Sequence, residues 1–328
     1  MKEKNISLDR GIFVLSLDTE LAWGTVDKPD RLKNNIKYYR QSRDCIEKIL
    51  MLLEKYNISA TWAIVGHLFL KECNTVNGQK HLDFPRSTYP WYSKDWFEES
   101  PCTNEGEEPL WYGQDIIKKI ANCRVRQEIA SHSFAHIPYG NENTERATVR
   151  ADLSNCIHEA EKAGLKLRSF IFPRNNVGYL DELKNYEFEA YRGVEPLWYR
   201  RFPPIFKKVA SIIDQLLAIS PPVSLPEYGQ GLYNIPGSMI YRSKNGIRRL
   251  LSIDLRVIKA KKGIRKAIRD KKVFHLWFHP YNIATSQAKL LYGLEEIFKE
   301  VQRRRERGEV EAKSMDEIVD LVNTKNMK

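Results

Sequence analysis

The chain has 328 residues, 42% of them hydrophobic and 29% charged, with a formal charge of +11. The length allows one large α/β domain or two modest ones, and the composition excludes a disordered chain. A general nucleic-acid coat is excluded because the charge is local: residues 242–272 hold 13 Lys or Arg against 2 Asp, and the rest of the chain holds 40 basic against 40 acidic residues.

Ile12 to Leu17 (IFVLSL) is a short apolar run of strand formers and predicts a buried strand. It is too short for a membrane span and ends in Asp18-Thr19-Glu20, not at a small-residue cleavage site. The expectation is a cytosolic protein. Residues 38–56 carry Ile46, Ile49, Leu50, Leu53 and Tyr56 at helical spacing, with Asn57 as the stop. Residues 59–65 (SATWAIV) read as a second buried strand, and 125–131 as a third. Residues 146–163 form an amphipathic helix closed by Gly164. Strands follow at 169–172, 190–194 and 272–278. Residues 247–268 are helical with a break at Gly263, and 290–305 and 315–322 are C-terminal helices within about 285–328. Alternating strands and helices argue for a parallel α/β architecture, and residues 1–328 read as one domain. Two segments break the rhythm. The stretch 71–113 holds eight aromatics between Phe84 and Tyr112 and predicts an ordered lid; 200–236 is rich in Pro and Gly and predicts a long loop. The five cysteines, Cys45, Cys73, Cys102, Cys123 and Cys156, are widely spaced without a C-x-x-C. Neither a disulfide framework nor a cysteine zinc site is expected from them.

Chemistry gathers after the strands. Asp18 and Glu20 share one face of extended chain at the end of the first strand. The spacing of His132 and His136 places both rings on one face of a helical turn. Two such rings and a distant carboxylate leave one coordination position open, the form of a catalytic zinc site. Arg174 follows Pro173 after the SFIF strand, where a guanidinium orients a carboxylate or binds an anion. Period two puts His275, Trp277 and His279 on one face of the last strand, with His279 nearest its end.

The order of these pieces resembles the polysaccharide deacetylase family, the NodB-homology or carbohydrate esterase family 4 group, over about residues 10–285. The resemblance implies a single distorted (β/α) barrel of about seven parallel strands with long loop insertions. It also implies a divalent metal, zinc first, on Glu20, His132 and His136, with Asp18 as base, Arg174 orienting it and His279 as general acid. Trp23, Asn175 and Trp277 would line the substrate, the two tryptophans facing sugar rings or belonging to the core. Two departures stand out. The family's contiguous Asp-Asp is replaced by Asp18-Thr19-Glu20, which points to a variant branch away from secreted chitin deacetylases. Arg174 follows its proline, where the family's Arg precedes it.

The implied reaction is removal of an N-acetyl group from a sugar conjugate, a nucleotide- or lipid-linked precursor of surface polysaccharide or glycolipid. Alternatives are a deformylase on a lipid-linked formamido sugar and a non-catalytic glycan-binding relative. A ureide-cleaving, metal-independent relative is disfavoured by Glu20 and the two histidines. For residues 242–272 two readings stand. One is a solvated basic helix whose apolar stripe, Ile247, Leu250, Leu251, Ile258, Ile264 and Ile268, faces inward. The other is a surface for anionic lipid or a substrate phosphate. No nucleic-acid partner is expected, since no helix-turn-helix or zinc-finger pattern occurs.

Overall fold

A computed structural model describes residues 6–73 and 75–326. Strand β1 (Gly11–Thr19) is buried along its whole length. It is followed by α1 (Pro29–Tyr56), β2 (Thr61–Ile64), the hairpin β3 (Thr75–Val76) and β4 (Gln79–Lys80), α2 (Gln114–Ala121) and β5 (Glu128–Ser131). Then come α3 (Arg146–Lys162), β6 (Ser169–Ile171), α4 (Leu180–Asn185), β7 (Ala190–Arg192) and α5 (Pro204–Leu216). The chain ends with β8 (Glu227–Gly229), β9 (Leu232–Asn234), β10 (Met239–Ile240), α6 (Ile253–Asp270), β11 (Val273–Phe278), α7 (Pro280–Ala284), α8 (Gln287–Glu306), β12 (Val310–Ala312) and α9 (Met315–Asn326).

The main sheet runs β10-β11-β1-β2-β5-β6-β7-β9-β8, with β12 pairing the N-terminal half of β1. Every pair in it is parallel except β8 with β9. The curled sheet with helices outside is the distorted (β/α) barrel expected from the sequence, with a longer parallel run than seven strands.

Alternation along β1 separates two cores. Phe13, Leu15 and Leu17 join the large core shared with α1, α3, α6 and α8. Ile12 and Val14 join the interior, with Ala63, Ile171, Ala190 and Val273. Helix α9 fills that interior with Met315, Ile318, Val319 and Val322, and it docks at the strands' N-terminal ends. There the Met315 amide donates to Thr61 Oγ1 and the Asp316 amide to Glu128 Oε2. With one end plugged, the inward positions near the other end, Ser16 and Asp18, are left to face a site.

Glu128 carries a testable cost. It is buried, and burial first and the Asp316 charge second push its carboxyl from 4.5 up to about 7. The folded chain therefore keeps a proton that the unfolded chain loses from about pH 4.5 upward. Stability falls as pH rises through that window and levels off above about 7. We expect Glu128→Gln to flatten urea stability between pH 5 and 8, relieving up to about 3 kcal/mol at the alkaline end. A wild-type curve that is already flat across this range would refute the assignment.

The structure changes four expectations. Residues 204–216 are helix α5, not loop, with Pro204 at its first turn. Gly263 does not break α6; a Cβ there would sit 2.5 Å from the Phe274 ring, so the glycine permits close packing of helix on strand. The stripe expected to face inward is partly reversed. Ile247, Leu250 and Ile258 are exposed, whereas Arg256 and Lys259 are buried, the latter paired with Asp214 of α5. The His132–His136 segment is not helical, because Ser133 and His136 both have positive φ (68° and 58°).

Candidate active site

Residues from four strand ends meet at the open end of the barrel. Asp18 is the last residue but one of β1, and Glu20 follows the strand directly. His132 follows β5, Arg192 is the last residue of β7, and His279 follows β11.

Glu20 Oε1 is the focus. His132 Nε2 lies 3.0 Å from it, His136 Nε2 3.1 Å and His279 Nε2 3.2 Å. His279 Nε2 is also 3.8 Å from Asp18 Oδ2. The side chain of His279 is 16% exposed, against 5% or less for the other four, so the site opens at His279.

The non-helical His132–His136 turn is held by Asp152, buried on α3. Its carboxylate accepts from Ser133 Oγ (2.9 Å), the Phe134 and Ala135 amides (2.8 and 3.1 Å) and the Tyr139 hydroxyl (2.7 Å). Four donors on one side chain fix a turn that backbone bonding alone does not close. We expect Asp152→Asn, which turns one acceptor into a donor, to weaken metal binding at His132 and His136 by about tenfold or more. Competition with a chromogenic zinc chelator would read this; unchanged affinity would remove Asp152 from the site.

The donor set fits a divalent cation. His132 Nδ1 faces the Ile171 carbonyl at 2.7 Å. A carbonyl only accepts, so the ring proton sits on Nδ1 and the Nε2 lone pair points at Glu20. The His132 lone pair facing a carboxylate oxygen at 3.0 Å needs positive charge between them. A buried imidazolium would be a costly source of it, and burial lowers the pKa of the neighbouring His136. A cation supplies the charge with neutral rings, and one carboxylate with two imidazoles is a donor set of catalytic zinc. His136 Nδ1 finds no hydrogen-bond partner among the described residues.

Asp18 is gripped by Arg192. The guanidinium donates to Oδ1 and Oδ2, each at 2.7 Å, and both groups are buried. Burial opposes ionisation of Asp18, but Arg192 outweighs it and holds the carboxyl below its ordinary value. Burial also opposes the charge on Glu20, and the imidazoles of His279, His136 and His132 outweigh it. For His279 burial works against the imidazolium, while Glu20 and Asp18 more than offset it, so its pKa is raised.

Arg192 is itself supported. It donates to Ser16 Oγ and Asn175 Oδ1, both at 3.0 Å, and its guanidinium lies 4.2 Å over the Trp277 ring. Trp277 Nε1 donates to Glu195 Oε1 at 2.5 Å, and His275 Nε2 faces Ser16 Oγ at 2.8 Å.

Glu20, His132, His136, His279 and Asp18 thus come together, whereas four other positions take different places. Arg174 does not reach Asp18; it pairs with Asp27 and stacks over Trp91. Asn175 serves Arg192 rather than lining open space. Trp23 is fully buried between His67, Phe97 and Trp111, and donates to the Trp111 carbonyl. Trp277 is the shelf beneath Arg192. Sequence reasoning missed Arg192; the signal was an arginine inside the strand-like Ala190–Val194 run.

The sequence matches no protein-family model and no curated protein. Solved structures do match in shape. A protein from Mycobacterium smegmatis assigned as a polysaccharide deacetylase superposes with a TM-score of 0.64 at 13% identity, covering 99% of this chain and 96% of that one. A probable polysaccharide deacetylase from Pseudomonas aeruginosa PAO1 gives 0.60 at 11% identity, covering 94% and 89%. The fold is that of the polysaccharide deacetylases. The Puue allantoinase is similar in shape as well, with a TM-score of 0.57 at 11% identity over 94% and 89% of the two chains. At these identities the polysaccharide deacetylase fold is shared and the chemistry has to be argued from the site.

Proposed function

We propose that this protein is a metal-dependent hydrolase that removes an N-acyl group, acetyl first, from an amino sugar carried on a lipid or nucleotide. The observation that carries this reading is the pairing of an Arg-clamped Asp18 with the Glu20, His132, His136 and His279 cluster at one barrel mouth.

Glu20, His132 and His136 would hold the cation. When bound, such a cation polarises an acyl carbonyl and lowers the pKa of a water. Arg192 fixes both oxygens of Asp18 and keeps it ionised, so the remaining lone pair on Oδ2, the oxygen facing His279, can take a proton from the attacking water. His279, with its raised pKa and its place at the opening, holds a proton on Nε2 for the leaving nitrogen. Water adds to the acyl carbon, the C–N bond breaks, and the products are a carboxylate and a free amine.

Support for a lipid-linked substrate comes from α5. Its inward side is Ala210, Ser211 and Asp214. Its outward side carries Ile205, Phe206, Val209 and Ile213, with Ile205 70% exposed, and Leu250, 85% exposed, lies in the basic stretch 242–272. The two regions meet at a crevice lined by Asp214, Leu251, Arg256 and Lys259. Exposed Arg200, Arg201, Lys207, Lys208 and Arg249 accompany these apolar groups. An apolar helix face with cations around it suits an anionic membrane surface. Among the described residues no helix is long and apolar enough to cross a membrane.

Acetate and formate release from lipid-linked, nucleotide-linked and polymeric acylated amino sugars tests the reaction. Turnover confined to chitin or peptidoglycan would overturn the substrate class, and no acyl release with any metal would overturn the hydrolase. For the surface, we expect co-sedimentation with vesicles containing phosphatidylglycerol, reduced at least about tenfold by combined Ile205→Ser, Phe206→Ser and Val209→Ser. Equal binding by the variant would locate any lipid contact elsewhere.

A further inference from the structure

A second group of ligating side chains lies outside the active site, under the lid. His67 sits in the turn Gly66–Phe69 directly after β2. Cys73, His81 and Cys102 belong to the lid segment 71–113. His67 Nε2 and His81 Nε2 are 3.2 Å apart, and Cys73 Sγ is 3.4 Å from His81 Nε2. Cys102 Sγ lies 2.7 Å from Cys73 Sγ.

A thiol and two imidazoles are donors that zinc takes. With Zn–S near 2.3 Å and Zn–N near 2.0–2.1 Å, tetrahedral donors sit roughly 3.3–3.8 Å apart, close to the ring-to-ring and ring-to-sulfur spacings here. His67 Nδ1 faces the Trp111 carbonyl at 3.3 Å, which places its proton there and turns the Nε2 lone pair into the cluster. Burial holds His67 well below its ordinary pKa and His81 down at about 4, so both rings are neutral near pH 7. Phe97 and Phe134 pack against His81, and Tyr112 and Phe134 against His67.

We propose that His67, Cys73 and His81 bind a zinc ion that fastens the lid to the barrel. Two of the donors come from the lid and one from the turn directly after β2. The link reaches the active site, since Trp23, three residues from Glu20, lies 4.4 Å from the His67 ring. The spacing His-x5-Cys-x7-His has no C-x-x-C, which is why the cysteines by themselves argued against a zinc site. The competing arrangement is a Cys73–Cys102 disulfide, which takes the Cys73 sulfur from the metal and leaves the two imidazoles hydrogen-bonded to each other.

Metal counting on the full chain separates the two. Wild type loaded with zinc should hold about two ions per chain, and the Glu20→Gln, His132→Ala double variant about one. Adding Cys73→Ser or His81→Ala should lose that remaining ion. The cobalt-loaded double variant should show a thiolate-to-cobalt charge-transfer band, which needs no cysteine variant to fold. Failure of the proposed hydrolase would leave these readings untouched. A double variant without metal or charge-transfer band would overturn the proposal, and so would Cys73 and Cys102 that react with thiol reagents only after reduction.

Discussion

Arg192→Met should lower kcat/KM by about a hundredfold or more, while Arg174→Met should leave it within about threefold. The contrast follows from which carboxylate each guanidinium holds. Arg192 makes two bonds to Asp18, and both partners are almost fully buried. Removing one partner of such a pair strands the other charge, a cost of about 3–5 kcal/mol in comparable buried pairs. Asp18 would then take up a proton or swing away, and either change removes the proton acceptor. Arg174 is part-exposed and holds Asp27, which touches none of the clustered groups. A stability loss alone could mimic the first result, so Arg192→Lys is the control. Lysine keeps the charge but not the two-pronged grip. It should fold like wild type by thermal melting and still lose at least about tenfold in kcat, because orientation is what it lacks. Equal losses for Arg174→Met and Arg192→Met would sink the assignment.

The barrel was legible because its strands are buried on both faces and read as unbroken apolar runs, as in Ile12 to Leu17. The site candidates were legible because Asp18, Glu20, His132 and His279 sit immediately at or after those runs, where a parallel barrel gathers its loops. Arg192 was not, because a single arginine within a three-residue strand gives no periodic signal. Its identity depends on β7 and β1 facing each other across the interior, a tertiary fact. Trp23 misled for the opposite reason. Closeness in sequence to Glu20 suggested a sugar platform, but Leu21 has a positive φ of 48° and turns the chain, so Trp23 points into the lid core. Helix α5 hid behind its flanking prolines and glycines, and its apolar face looks outward, so burial offered no guide. The lid cluster was illegible from spacing, because His67, Cys73 and His81 follow no metal-binding motif and only the folded lid joins them.

Glu20→Gln should abolish tight metal binding and reduce activity by about a thousandfold or more, the scale expected when a ligand and the chemistry it anchors are both lost. Among the described residues, the carboxylate is the only negative charge on the three converging imidazoles besides Asp18, which Arg192 already occupies. A neutral amide cannot replace it. A subtler test uses the room around Glu20. The longer acid, one residue past the strand, carries its carboxylate close to Gly24. A Cβ on Gly24 would stand 1.8 Å from Glu20 Oε2 and 2.7 Å from its carboxyl carbon. Gly24→Ala therefore has to push the carboxylate off the histidines, and we expect about a ten- to hundredfold loss of metal affinity. Glu20→Asp draws the carboxylate back by one methylene and should weaken binding by itself. Combined with Gly24→Ala it also removes the clash, so the double variant should bind better than the product of the two single losses predicts. Additive losses would mean that Gly24 acts elsewhere, and metal-binding titrations on the four proteins decide it.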